Sequence, residues 1–210
     1  MALWRKERMR RSFLFSVSLV LLWITCIVFS NCSRSKETGI SPLAQSSVEK
    51  FFIADSPLFE QTDPRWRNKR IGGSNEKVGS VGCTLCCVSM ALVYQGLDSD
   101  PSKLNSALIQ KNGYTKRGLL KWRVVEDITN NKIRIQIPTQ PSHERINQAL
   151  ANDSPVVAKV RLRFGVQHWV LIVGRSGKEY LIQDPLGRGI TLENLSKYGS
   201  NILAIRIVGV

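Results

Sequence analysis

The apolar residues of this 210-residue chain fall into three kinds of run. From Phe13 to Ser30, 18 consecutive positions carry no charge and no polar face. As a helix such a run measures about 27 Å, close to the hydrocarbon thickness of a bilayer. The second kind is helical. Cys83 to Gln95 mixes small and apolar residues, holds no Gly or Pro, and stops at Gly96, which predicts a buried helix with a C-terminal Gly. Asp100 before Pro101 opens a helix over 101–110, Leu119 to Asp127 forms another, and Ser142 caps one over 143–150. The third kind is short and β-rich: Pro155–Arg161, His168–Val173, Tyr180–Gln183 and Ile202–Val208, separated by Gly and Ser. Helices first and strands later predict an α+β fold, with a helical N-terminal half and an antiparallel sheet in the C-terminal half. No internal repeat interrupts that plan.

Composition changes the picture mainly at the N-terminus. The formal charge is +14, which would suit a nucleic-acid binder. Five basic residues among the first eleven, against Glu7, account for +4 of it and stand directly before the apolar run. That order places the N-terminus inside and the rest of the chain outside the cytoplasm. The run ends in Phe29-Ser30-Asn31-Cys32, which resembles a loose bacterial lipoprotein box. Residues 1–32 are therefore expected to be a signal peptide or a membrane anchor, with an uncleaved anchor and a lipidated Cys32 both open. The remaining charge is scattered, with no repeated basic–aromatic pattern, so a membrane or cell-envelope setting is favoured over nucleic acid. Residues 33–54 are polar and Ser-rich and read as a linker; residues 55–210 form the domain.

Five cysteines, three of them at 83, 86 and 87, are too few and too clustered for a disulfide scaffold. Cys83 is the first residue of the predicted helix and follows the flexible approach Val78-Gly79-Ser80-Val81-Gly82. A thiol there meets the positive end of the helix dipole, which favours the thiolate. Cys86 and Cys87, one turn on, read as small buried hydrophobes. Of the two histidines, His143 sits among polar neighbours and reads as solvated, whereas His168 opens an apolar strand and needs a partner. The hairpin loop Arg175-Ser176-Gly177 supplies one. Pairing Gly174 with Lys178 sets Val170 opposite Ile182 and His168 opposite Asp184, with Cβ atoms about 5 Å apart. An Asp beside a His fixes its tautomer and supports the imidazolium.

Cys83 and Cys86 also form a C-x-x-C at a helix start, as in thiol–disulfide exchangers. The Gly-rich segment before it lacks the strand such a fold requires. Zinc would need four suitably spaced ligands, and only one histidine is placed to serve. Neither a metal nor a cofactor is expected.

With Cys83, His168 and Asp184 in place, the sequence resembles the papain-like cysteine peptidases. It is most similar to the bacteriocin-leader peptidases of exporters and their stand-alone relatives (the peptidase C-thirty-nine-like group). The resemblance rests on QTDPRW at 61–66, GCTLCCVSMAL at 82–92, Gly96 and Pro101, HWVLIVG at 168–174 and YLIQDPLG at 180–187. These segments run in the family's order over about residues 58–210. The stretch after the nucleophile often reads Gly-Pro-Thr in relatives and is Thr84-Leu85-Cys86 here. The resemblance implies Cys83 as nucleophile, His168 as base, Asp184 as the acid that orients it, and Gln61 as a donor to the oxyanion hole. It implies hydrolysis of peptide or amide bonds in a peptide or protein substrate. A non-catalytic binding module, an acyl transferase and, with Cys83 and Cys86, an oxidoreductase remain as alternatives.

Overall fold

The structure, a computed structural model, describes residues 39–52 and 57–210. The expected membrane segment, residues 1–32, lies outside the described residues. Among the described residues no helix is long and apolar enough to cross a membrane.

Helices and an antiparallel sheet share one core. The helices α1 (Val78–Val81), α2 (Cys83–Tyr94), α3 (Pro101–Gln110) and α4 (Trp122–Ile128) precede β2 (Arg134–Gln136), α5 (His143–Ala151) and β3 (Val156–Arg161). Then come β4 (Gln167–Gln183), β5 (Glu193–Asn194) and β6 (Ala204–Gly209). A first strand, β1 (Leu43–Phe52), stands ahead of all of them. The sheet order is β1-β4-β3-β6-β2, with β5 also on β4, and every pairing is antiparallel.

The sheet's alternation and the helix's apolar run meet across that core. Val156, Val157, Ala158 and Val160 of β3 and Val170, Leu171 and Ile172 of β4 are fully buried. Helix α2 is buried without a break from Leu85 to Leu92, which is why its sequence shows no polar stripe. Asp100 caps α3 by accepting from the Ser102 and Lys103 N–H groups at 2.7 and 2.8 Å. Ser142 caps α5 by accepting from the Arg145 N–H.

Strand β4 turns back within its own length. Seventeen residues extended throughout would set its ends about 50 Å apart, yet His168 at one end and Asp184 just past the other are in hydrogen-bond contact. Gly177, at φ +59°, lies within the reversal, where a left-handed residue is needed. The first arm pairs with β3 through Gln167–Ile172, and the second with β5 through Leu181 and Ile182.

Three local expectations are corrected. Leu43–Phe52 lies inside the expected linker but forms β1, which crosses 174–179 of β4 with two register shifts. Its residues are mostly exposed on both faces, so no period-two pattern marks it. The flexible approach to Cys83 is the short helix α1, anchored by a fully buried Val78. Helix α4 starts at Trp122 rather than Leu119, because Leu120 is drawn into a bridge with Tyr114.

Candidate active site

Cys83 begins α2 directly after Gly82. The Gly82 N–H donates to the Val78 carbonyl at 2.8 Å, closing α1 against α2. A Cβ at Gly82 would lie 2.4 Å from that same carbonyl oxygen, so only glycine allows the two helices to meet this closely. Cys83 is half-buried and is a free thiol. His168, the Trp169 backbone and the Thr84 side chain are the groups that act on its thiol. Burial pushes the thiol up, but the hydrogen bond and charge of His168, with the two further hydrogen bonds, hold it below the ordinary thiol value.

His168 stands at the start of β4 and is 2% exposed. Its Nε2 bonds Asp184 Oδ1 at 2.7 Å. Burial disfavours the imidazolium, yet the Asp184 and Cys83 hydrogen bonds and charges outweigh it and raise His168 to about 9. Thiolate and imidazolium therefore support each other.

Asp184 follows β4 and is 1% exposed. Oδ1 also accepts the Leu186 N–H at 2.9 Å; Oδ2 accepts Lys197 Nζ at 2.7 Å and the Tyr198 hydroxyl. Burial alone would push the carboxyl up, but His168, Lys197 and Tyr198 together hold it well below the usual carboxylate range. Sequence reasoning missed Lys197 and Tyr198. They come from the 3-10 turn Leu195–Tyr198, beyond a loop whose length carries no spacing rule.

Gln61 lies between the segments that carry the other residues. Its backbone N–H donates to the Pro185 carbonyl at 3.0 Å, and its Nε2 donates to the Gly79 carbonyl at 3.0 Å. The side chain is 5% exposed, and its Oε1 is buried without a hydrogen-bond partner among the described residues. The Gln61 loop is itself pinned by Trp66, whose indole N–H donates to the Glu60 carbonyl at 2.7 Å and whose ring meets Phe59 edge-on.

Cys86 and Cys87 are fully buried, and burial pushes both thiols far up. Neither is placed to act as a nucleophile. His143 is not solvated: it is 9% exposed, with Nδ1 2.9 Å from the Tyr180 hydroxyl. A cavity of about 270 Å³ is lined by Val81, Thr84 and Leu85, within two residues of Cys83 in sequence, and by Tyr114, Leu119 and Leu120. Among the described residues no group of three or more His, Cys, Asp or Glu could hold a metal ion.

The sequence profile of the Peptidase C39 like family matches residues 53–198. No curated protein matches the chain. Among solved structures, the fold is similar to that of a "putative C39-like peptidase" from Bacillus anthracis, with a TM-score of 0.51 and 15% sequence identity. That similarity covers 78% of this chain and 99% of the other. Since the profile spans well over half of the sequence and takes in Gln61, Cys83, His168 and Asp184, the chain belongs to the Peptidase C39 like family.

Proposed function

We propose that the chain is a cysteine peptidase of papain-like fold that hydrolyses peptide or amide bonds through Cys83, His168 and Asp184. The observation that carries this reading is the position of His168, which bonds Asp184 at 2.7 Å and by hydrogen bonding and charge acts on the Cys83 thiol. The Cys83 thiolate attacks the scissile carbonyl carbon, and the carbonyl oxygen becomes an oxyanion. The first-turn N–H of Cys83 and the second Nε2–H of Gln61 would hold that oxyanion, each worth about 3 kcal/mol to the transition state. The His168 imidazolium gives its proton to the leaving nitrogen as the C–N bond breaks. A water then gives a proton to His168 and attacks the thioester, and Cys83 leaves as thiolate.

The alternative of thiol–disulfide exchange is disfavoured because Cys86 is sealed in the core with its thiol held up. The basic cluster and apolar run of residues 1–30 support a membrane-tethered peptidase acting outside the cytoplasm on a peptide or protein substrate. Incubating the full chain with a mixed peptide library and reading cleavage by mass spectrometry tests the activity. Cleavage is expected from the wild type and none from Cys83→Ala or His168→Ala; equal cleavage by all three would reject the assignment.

A further inference from the structure

Asp184 is held from two sides, and only one of them belongs to the nucleophile and its histidine. The turn Leu195–Tyr198 is fixed to the domain by the fully buried Leu195 and by Ser196, whose hydroxyl donates to Glu179 Oε1 at 2.8 Å. From that base it sends two donors to Oδ2 of Asp184, the Lys197 ammonium and the Tyr198 hydroxyl. Lys197 Nζ also reaches Glu193 Oε2 at 2.6 Å. The Tyr198 ring then meets His168 edge-on, with centroids 5.8 Å apart.

We propose that Lys197 and Tyr198 are positioning residues: they fix Oδ2 of Asp184 so that Oδ1 stays turned to His168 Nε2. The proposal rests on the peptidase reading and deepens it. A carboxylate on a short side chain can rotate, and a rotated Asp184 would give up the 2.7 Å contact that sets the His168 ring. Two donors on the far oxygen remove that freedom.

The charges around the pair favour a geometric role over an electrostatic one. The groups facing it are His168, Lys197, Tyr198 and Glu193, with Cys83 and Cys87 of α2 behind. Glu193, bonded to the same ammonium, offsets the field that Lys197 would exert on His168. What remains of Lys197 is its reach. Its conversion to a neutral residue also leaves two carboxylates facing each other across the vacated position, which drives Asp184 away from His168.

The test uses Lys197→Met, Tyr198→Phe and the double variant in the full chain, with peptide hydrolysis measured across pH. Each single variant is expected to lower kcat, by up to about 10²-fold for a displacement on the order of 1 Å, with KM unchanged. The alkaline limb is expected to move to lower pH, because a poorly held Asp184 supports the imidazolium less. An electrostatic role for Lys197 predicts the reverse shift, since its removal would leave a less neutralised carboxylate beside His168. A limb that rises, or that stays unmoved in all three variants, overturns the proposal. Tyr198→Phe keeps the ring and guards against a folding defect. Should the wild type show no turnover, the peptidase reading fails while the positioning role is still read from the His168 Nε2–H proton resonance. An upfield shift and broadening of that resonance in the variants sustains the proposal, and an unchanged resonance rejects it.

Discussion

His168 and His143 are both buried and both bonded at the hairpin of β4, yet the fold drives their protonation in opposite directions. His168 meets a carboxylate and a thiol at the open end of the hairpin and is raised to about 9. His143 meets the Tyr180 hydroxyl further along the second arm, its ring stacked on the phenol at 6.0 Å. Burial and the cation of Arg175, whose guanidinium lies 5.7 Å over the Tyr180 ring, push His143 below the ordinary value. Among the described residues no carboxylate offsets that push, and a position in the first turn of α5 disfavours a positive charge further. Burial is common to both imidazoles, so it does not distinguish a reactive one from a structural one. The distinction comes from the charge of the partners, Asp184 and Cys83 for His168 against the Tyr180 hydroxyl and the Arg175 cation for His143.

Substitution is the harshest way to break this comparison. Cys83→Ala and His168→Ala are expected to lose about 10⁴-fold or more in kcat, as members of a unit that acts together. His143→Phe should leave kcat within about threefold while costing about 1–2 kcal/mol of stability, because Tyr180 loses its buried partner. Denaturant melts alongside peptide-hydrolysis kinetics would read both quantities. If the two histidine variants lost activity equally, the contrast would be void.

Asp184→Asn tests the partner's charge rather than its presence. The amide can still bond His168 but no longer stabilises the imidazolium, so kcat should fall on the order of 10³-fold. The alkaline limb should move down from near pH 9 toward the ordinary histidine value. The sign follows from the raised value: the imidazolium proposed to protonate the leaving group is lost as pH rises through about 9.

Stability against pH sharpens the contrast at smaller amplitude. His168, raised on folding, contributes stability that is full below its unfolded value of about 6.5 and is lost as pH rises through about 9. His143, lowered on folding, contributes stability that is present above about 6.5 and is lost as pH falls through its depressed folded value. Thermal midpoints across pH should therefore show an acid-side slope that His143→Phe flattens and an alkaline-side slope that His168→Ala flattens. The smallest effect is expected at Cys86→Ala, about 1 kcal/mol from lost apolar burial and no change in kcat. A large loss of kcat there would revive the exchange reading.

The sequence made much of the site legible because its signals are local. The apolar run from Leu85 to Leu92 and the preceding Gly82 mark the start of a buried helix, and Cys83 is the residue at that start. The loop Arg175-Ser176-Gly177 is short enough for its register to bring His168 opposite Asp184, and the two side chains are in contact. What stayed hidden depends on partners far along the chain. His143 is surrounded in sequence by polar residues, and only the packing of α5 against the sheet turns its ring toward Tyr180. Lys197 and Tyr198 reach Asp184 across a loop with no pattern of its own. Strand β1, mostly exposed on both faces, owes its pairing to the hairpin it crosses rather than to any alternation.

The central claim is that Cys83 is a thiolate sustained by His168, and the rate of its alkylation by iodoacetamide against pH tests it most directly. Peptide mapping would assign the modified residue in the full chain. The account predicts modification at Cys83 with a midpoint below the ordinary thiol value, shifted upward in His168→Ala, while Cys86 and Cys87 stay unmodified in the native fold. A Cys83 midpoint at or above the ordinary thiol value of about 8.5, unchanged by His168→Ala, would contradict it.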